Sequence, residues 1–310
     1  MSPDEVCARI GDVPFPRLRQ GRRFYDFITA NHLSVGLDLG FMHGGCTAYL
    51  AGAIQELGCG GLTAIDVVAS RERVPSVDHL LRLTGLSDWV QVYYEPTSFN
   101  WRLMRLLEAG RYESFDFCYI HSGHTWYEVG LAFCLVERLL KSGGWVVFND
   151  LHYSFRESKG RDESWVKRLP EDEQIVPQVE RVFELLAEAN PYFGSYRRLG
   201  RFGFAQKQCA IWSDERRAHH RKEMAICRAV ERAHFEPEFR QALLLSPAQT
   251  VSSIAGGTAQ EFGNLRFAET DYIAPVSPTI SESGETTVYL DRAAWVRRPS
   301  EADLQRMLDE

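Results

Sequence analysis

The chain has no C-x-x-C pair, and its seven cysteines are an odd number with neither disulfide-framework nor zinc-finger spacing. A stapled secreted domain and a zinc ribbon are thereby excluded, and free thiols in a cytoplasmic protein are the expectation. No apolar run reaches the roughly 20 residues needed to cross a bilayer. The opening M-S-P-D-E-V lacks the basic-then-apolar pattern of a signal peptide. Positive charge is in deficit: 35 Lys and Arg against 42 Asp and Glu leave a formal charge of -7. That balance argues against a general nucleic-acid binder while permitting a local basic pocket. G-x-G-x-x-G is missing as well, which argues against a nicotinamide dinucleotide site. Internal repeats and low-complexity tracts are also lacking.

What is present is the composition of an ordinary globular protein, with enough apolar residues for a sizeable core. At 310 residues the chain holds one large domain, or one domain with a substantial appendage. Its most informative stretch is V-G-L-D-L-G-F-M-H-G-G-C-T, Val35 to Thr47. An apolar run stops at Gly40, a loop carries Gly44 and Gly45, and an amphipathic segment follows. This reads as strand, tight turn and helix N-terminus. Glycine lets the main chain approach a ligand, and the free N–H groups that open a helix suit a polar or anionic group. About twenty residues on, a second apolar run ends at Asp66, a carboxylate placed to accept hydrogen bonds from ribose hydroxyls.

From there strands and helices alternate. Helices are expected over 48–57, 76–84, 100–109, 128–140 and 176–189, with strands at T-A-I-D-V-V, 89–94, 115–120 and W-V-V-F. Lys141-Ser142-Gly143-Gly144 reads as a helix C-terminus, and 196–207 as an antiparallel hairpin. Alternation predicts a doubly wound, mostly parallel sheet whose ligands bind beyond the carboxyl ends of the strands. Residues 1–30 are a helical lead-in whose Phe24, Tyr25 and Phe27 either cover a pocket or pack on the domain edge. The charged stretch 156–174 is a lid or a solvated connection. Residues 211–310 form a helical and irregular extension, with a charged helix over 214–234 and a short one from about 300.

With those elements in order, the chain resembles the class I S-adenosylmethionine-dependent methyltransferases. It is most similar to small-molecule O-methyltransferases with an I-D-G-x-H segment after the fourth strand, here I-H-S-G-H-T-W-Y-E-V at 120–129. The resemblance covers 35 to about 207 and implies a seven-stranded Rossmann-like sheet ending in a hairpin. It implies S-adenosyl-L-methionine as cofactor, with Asp38, Gly40, His43 and Gly44 at its methionine end and Asp66 on its ribose. Thr97 and Ser98 stand where the family contacts adenine, usually through an acidic residue, so Thr97 is a departure.

A second cluster lies at the tips of strands four and five: His121, His124, Asp150 and His152. Three imidazoles and a carboxylate are a donor set for a transition metal or zinc. Similar metal-dependent members hold magnesium through carboxylates, and His121, here also counted at the cofactor edge, replaces the expected aspartate. The alternative is that the histidines act as bases. His152, or failing that His124, is the candidate base, oriented by Asp150. Trp126, Tyr127, Tyr153 and Phe155 either sandwich the acceptor or pack beneath the loops. The resulting expectation is O-methylation of a small-molecule hydroxyl in secondary metabolism by a homo-oligomer, with S-adenosyl-L-methionine as cofactor and, unless the histidines act as bases instead, a divalent metal ion. No nucleic-acid or membrane partner is expected. The rivals are a metal-dependent oxygenase, a non-methylating S-adenosylmethionine enzyme and a non-catalytic binding protein.

Overall fold

Five short runs of apolar and β-branched residues become five parallel strands, and the first four are each followed by a reversal that leads into a helix. The computed structural model describes residues 1–13, 18–121, 123–158, 163–210, 214–255, 258–270, 279–280 and 286–291. Two compact units divide it, Met1–Ile211 and Trp212–Glu310.

The first unit opens with helices α1 (Pro3–Ile10) and α2 (Leu18–Ala30), then β1 (Val35–Leu39), α3 (Gly45–Leu57), β2 (Gly61–Val67) and α4 (Val77–Thr84). It continues with β3 (Val90–Glu95), α5 (Phe99–Glu108), β4 (Phe115–Ile120), α6 (Trp126–Leu139) and β5 (Leu140–Phe148). Two short helices, α7 (Glu171–Ile175) and α8 (Gln178–Val182), lead to the hairpin of β6 (Phe193–Leu199) and β7 (Phe202–Lys207). The seven strands lie in the order β3-β2-β1-β4-β5-β7-β6. The pairs from β3 to β5 are parallel, and β7 runs antiparallel to both β5 and β6. The expected doubly wound, mostly parallel seven-stranded sheet is therefore present.

Both faces are covered, so inward residues alternate along each strand. On β4, Cys118 and Ile120 join the core beneath α5 and α6. Phe117 and Tyr119 join the core beneath α2 and α3. Phe24 of α2 packs on Tyr119 and Phe202 with ring centroids 4.7 and 5.0 Å apart, and Phe27 packs on Trp145 and Phe204. The lead-in aromatics are therefore edge packing.

Helix starts follow capping chemistry. The hydroxyls of Ser76, Ser98 and Thr125 accept backbone N–H groups from the first turns of α4, α5 and α6. The end of α6 departs from expectation. Lys141 to Gly144 lie inside β5, because Leu140 pairs with Phe115 across a register shift. The α6 carbonyls are met instead by the fully buried Lys207, whose Nζ donates to the oxygens of Glu137 and Leu140 at 2.9 and 2.7 Å. The helix expected over 176–189 begins as α8 and widens into a π-helical stretch, Phe183–Glu188. Gly203 of β7 sits where a Cβ would come 2.8 Å from Phe183 and 3.1 Å from Leu151.

The second unit has its own core, including Ala229, Leu243, Val251, Phe262 and Leu290. Helices α9 (Asp214–Phe235), α10 (Pro237–Leu245) and α11 (Pro247–Ala255) precede a three-stranded sheet of β8 (Leu265–Thr270), β9 (Thr279–Ile280) and β10 (Thr286–Asp291), ordered β8-β10-β9. The sequence reading expected only helices and irregular chain here. Strands β8 and β10 are as long as β3 and β4, but no alternation of strands with helices surrounds them in the sequence to announce a sheet. The helix expected from about 300 and the middle of the 156–174 stretch fall outside the described residues. Among the described residues no helix is long and apolar enough to cross a membrane.

Candidate active site

β1 lies between β2 and β4, so the chain turns one way after β1 and the sheet continues the other way through β4. The carboxyl edge at that switch point is where a ligand crevice usually lies in such sheets. The tips of β1, β2, β3, β4 and β5 border it.

At the β1 tip Asp38 is fully buried. Its Oδ2 accepts the Thr47 hydroxyl at 2.7 Å. Its Oδ1 has no hydrogen-bond partner among the described residues. Burial pushes this carboxyl up to about 7. Gly40 turns the chain at φ +82° and donates to the Ile65 carbonyl at 2.8 Å. Gly44, at φ +89°, is the N-cap of α3 and supplies no side-chain cap, which leaves the first N–H groups of that helix directed to the crevice edge. A Cβ on Gly44 would fall 2.5 Å from Val77, so its smallness serves the packing of α4 as well as any ligand. His43 places Nδ1 2.9 Å from the Pro75 carbonyl. Asp66 ends β2 almost buried, accepting the N–H of Met42 at 2.8 Å and of Val67 at 2.7 Å. Burial raises it too, against those two hydrogen bonds.

At the β3 tip Thr97 is exposed, while Ser98 caps α5 and donates to Glu128 at 3.2 Å. Glu128, on the first turn of α6, is the carboxylate that Thr97 is not. Gly123 lies over it, and a Cβ there would come 2.6 Å from Glu128 Oε2. Sequence reasoning missed this residue, although its helix had been recognised.

The β4 and β5 tips bring His121, His124 and Asp150 together and leave His152 out. His124 directs Nε2 at Asp150 Oδ2, 3.2 Å away, and stacks on Tyr153 with centroids 4.1 Å apart. His124 and Asp150 both hold left-handed backbone, at φ +53° and +61°. Non-glycine residues rarely adopt it, and such strain collects at functional sites. Tyr153 N–H donates to the Asp150 carbonyl, and the turn this makes sends His152 outward. His152 is 63% exposed, with Glu180 3.4 Å away. The expectation that Asp150 orients His152 is thus corrected. The partners of Asp150 are His124 and Arg201, whose guanidinium forms an ion pair with Oδ1 from the β6–β7 turn. Arg201 was also missed.

Both imidazoles, the buried His121 and the partly buried His124, are neutral at pH 7. Burial first, then their neighbours, pushes His121 down to about 3 and His124 down to about 4, with Arg201 acting on each. Among the described residues no group of three His, Cys, Asp or Glu is arranged to hold a metal ion. Asn149, at the end of β5, is buried with neither amide atom partnered among the described residues. Trp126 and Tyr127 are exposed and line a hollow of about 430 Å³ with Val176, Gln178 and Arg181.

A model of a family described as a methyltransferase domain matches residues 37–151, the segment from β1 to just past β5. No curated protein matches the chain. Among solved structures, a putative O-methyltransferase from Klebsiella pneumoniae is 17% identical, with 66% of this chain and 87% of that chain covered and a TM-score of 0.48. An O-methyltransferase from Bacillus cereus in complex with SAH is 18% identical, covering 66% and 90%, with a TM-score of 0.49. The O-methyltransferase TomG from Streptomyces achromogenes, involved in tomaymycin synthesis and solved with SAM, is 17% identical, covering 66% and 87%, with a TM-score of 0.46.

Proposed function

We propose that this chain, whose residues 37–151 match the model of a methyltransferase domain, transfers a methyl group from S-adenosylmethionine to a hydroxyl of a small molecule, with His124 as the base. The observation that carries the reading is the pairing of a neutral, partly buried imidazole with Asp150 at the carboxyl edge of the switch point.

The residues at this edge fit the cofactor. Asp38 presents a buried carboxylate oxygen without a partner among the described residues, and burial leaves that group calling for a cation such as an ammonium. The uncapped start of α3 offers N–H donors beside it. Each Asp66 oxygen accepts one backbone N–H and keeps a further lone pair for ribose hydroxyls. Ser98 and Glu128 occupy the adenine end, in place of the expected Thr97 with Ser98. When bound, the cofactor supplies an electrophilic methyl group on a sulfonium.

The chain's own part is to place and deprotonate the acceptor. With the proton of His124 on Nε2, directed at Asp150, the lone pair of the ring sits on Nδ1, which takes the hydroxyl proton. Asp150 fixes that tautomer and stabilises the imidazolium as it forms. A positioned base of this kind contributes about 10²–10⁴ in rate. Asn149, with donor and acceptor both unspent, suits a second polar group on the acceptor. The stacked Tyr153 holds the ring plane.

Calorimetric titration of the purified chain with S-adenosylhomocysteine tests the reading. One-to-one binding supports it, and its absence in folded, ligand-free protein would overturn it.

A further inference from the structure

The resemblance implies a divalent metal at the β4 and β5 tips, and the residues there do not suit one. The carboxylate expected after β4 is His121, a softer donor that is almost fully buried. The carboxylate after β5 already spends one oxygen on the Arg201 guanidinium and the other on His124. A hard dication placed there would lose its carboxylate charge to Arg201 and meet that fixed positive charge at close range.

Arg201 also reaches further than its ion pair. It comes from the turn between β6 and β7, its main-chain oxygen accepts the Leu151 N–H at 2.9 Å, and its side chain is 41% exposed. Its charge acts on His121, on His124, on Tyr119 of β4 and on Cys46 in the first turn of α3. The ion pair with Asp150, whose other oxygen faces His124 Nε2, sets the guanidinium beside the imidazole assigned as the base. A guanidinium keeps its full positive charge while it pairs with one carboxylate.

We propose that this edge takes no divalent metal and that the Arg201 guanidinium, held by Asp150, is its built-in cation, facing the acceptor oxygen. This rests on the methyltransferase reading and assigns the charge that reading needs. The acceptor O–H bond breaks and its proton goes to His124 Nδ1. An oxygen electron pair forms the new C–O bond while the methyl–sulfur bond breaks, leaving a neutral thioether. The guanidinium stabilises the negative charge that builds on oxygen before that bond is complete, as preorganised donors do. The imidazolium then returns its proton to water.

The test uses the full chain saturated with S-adenosylhomocysteine. Manganese binding is followed by electron paramagnetic resonance. 4-Nitrophenol, a hydroxyl whose ionised form is coloured, is added near its own pKa. The wild type is expected to leave manganese free and to raise the bound phenolate fraction. Arg201→Gln should lose about tenfold in the phenolate-to-phenol ratio, and Arg201→Lys should recover part of it. Stoichiometric manganese binding that Asp150→Asn abolishes would overturn the proposal. So would identical nitrophenol spectra for the wild type and Arg201→Gln. Failure of the wild type to bind S-adenosylhomocysteine would instead sink the methyltransferase reading, which keeps the two failures apart.

Discussion

The two edges of one sheet use the same side chain for opposite ends. At the amino edge Asp116 of β4 accepts the backbone N–H groups of Ser34 and Val35 at 3.0 and 2.8 Å and the Ser34 hydroxyl, and pairs with Lys141 at 2.6 Å. Its hydrogen-bonding capacity goes to joining the start of β1 to β4 and β5. At the carboxyl edge Asp38 keeps an unpartnered oxygen, and Asp66 is raised by burial. Left-handed non-glycine residues occur at both edges, Met42, His124 and Asp150 at the carboxyl edge and His32 and Glu113 at the amino edge, so backbone strain does not separate them. Hollows of similar size occur at the amino edge (about 410 Å³) and beside α6 (about 430 Å³), so size does not mark the site. Among the described residues, the unpartnered buried atoms of Asp38 and Asn149 set the carboxyl edge apart from the amino edge, at a cost in stability that a ligand or water would return.

The widest separation of the edges should come from His124→Gln, which lowers turnover by about 10²–10⁴ while leaving S-adenosylhomocysteine affinity near wild type in calorimetry. Its mirror image is Asp116→Ala. Loss of that staple should cost about 2–4 kcal/mol in urea unfolding, with cofactor affinity per folded molecule unchanged. If Asp116→Ala altered affinity instead, the division of labour would collapse.

Acid should divide the carboxyl edge against itself. His124 is neutral when folded yet protonates below about 6.5 when unfolded, so the unfolded chain binds more protons between about 6.5 and 4. The wild type should therefore lose about 1.4 kcal/mol per pH unit relative to His124→Gln as pH falls through that window. Asp38 carries the opposite sign. Its folded pKa is raised, so the wild type should gain on Asp38→Asn as pH falls from about 7 toward 4. Urea titrations at several pH values read both slopes. The smallest effect is assigned to Asp66→Ala, about tenfold to a hundredfold weaker cofactor binding with little change in the unfolding midpoint.

The sequence exposed the parallel sheet because buried strands and amphipathic helices announce themselves within a dozen residues. It exposed Asp66 and the β4 and β5 tips because the fold class says which loops share an edge. It put His152 ahead of His124 as the base, whereas the structure turns His152 outward and sets His124 against Asp150. That choice depends on a turn closed by Tyr153 N–H on the Asp150 carbonyl, and on positive φ at two residues that have no glycine to advertise it. Arg201 stayed invisible for another reason. It stands 51 positions beyond Asp150, and only the antiparallel return of the hairpin brings the pair together. Glu128 was hidden by an expectation fixed on Thr97, when the first turn of the next helix held the carboxylate.

Gly203 gives the hairpin a property no ligand would reveal. It lies opposite Phe148, so close to Phe183 and Leu151 that a single methyl group would have to push one of them aside. The strand therefore rests against a hard stop with no clearance, and Arg201 stands two residues upstream of it. The reach of that guanidinium is calibrated from behind, by two apolar side chains, much as a gauge block sets the travel of a tool that it never touches.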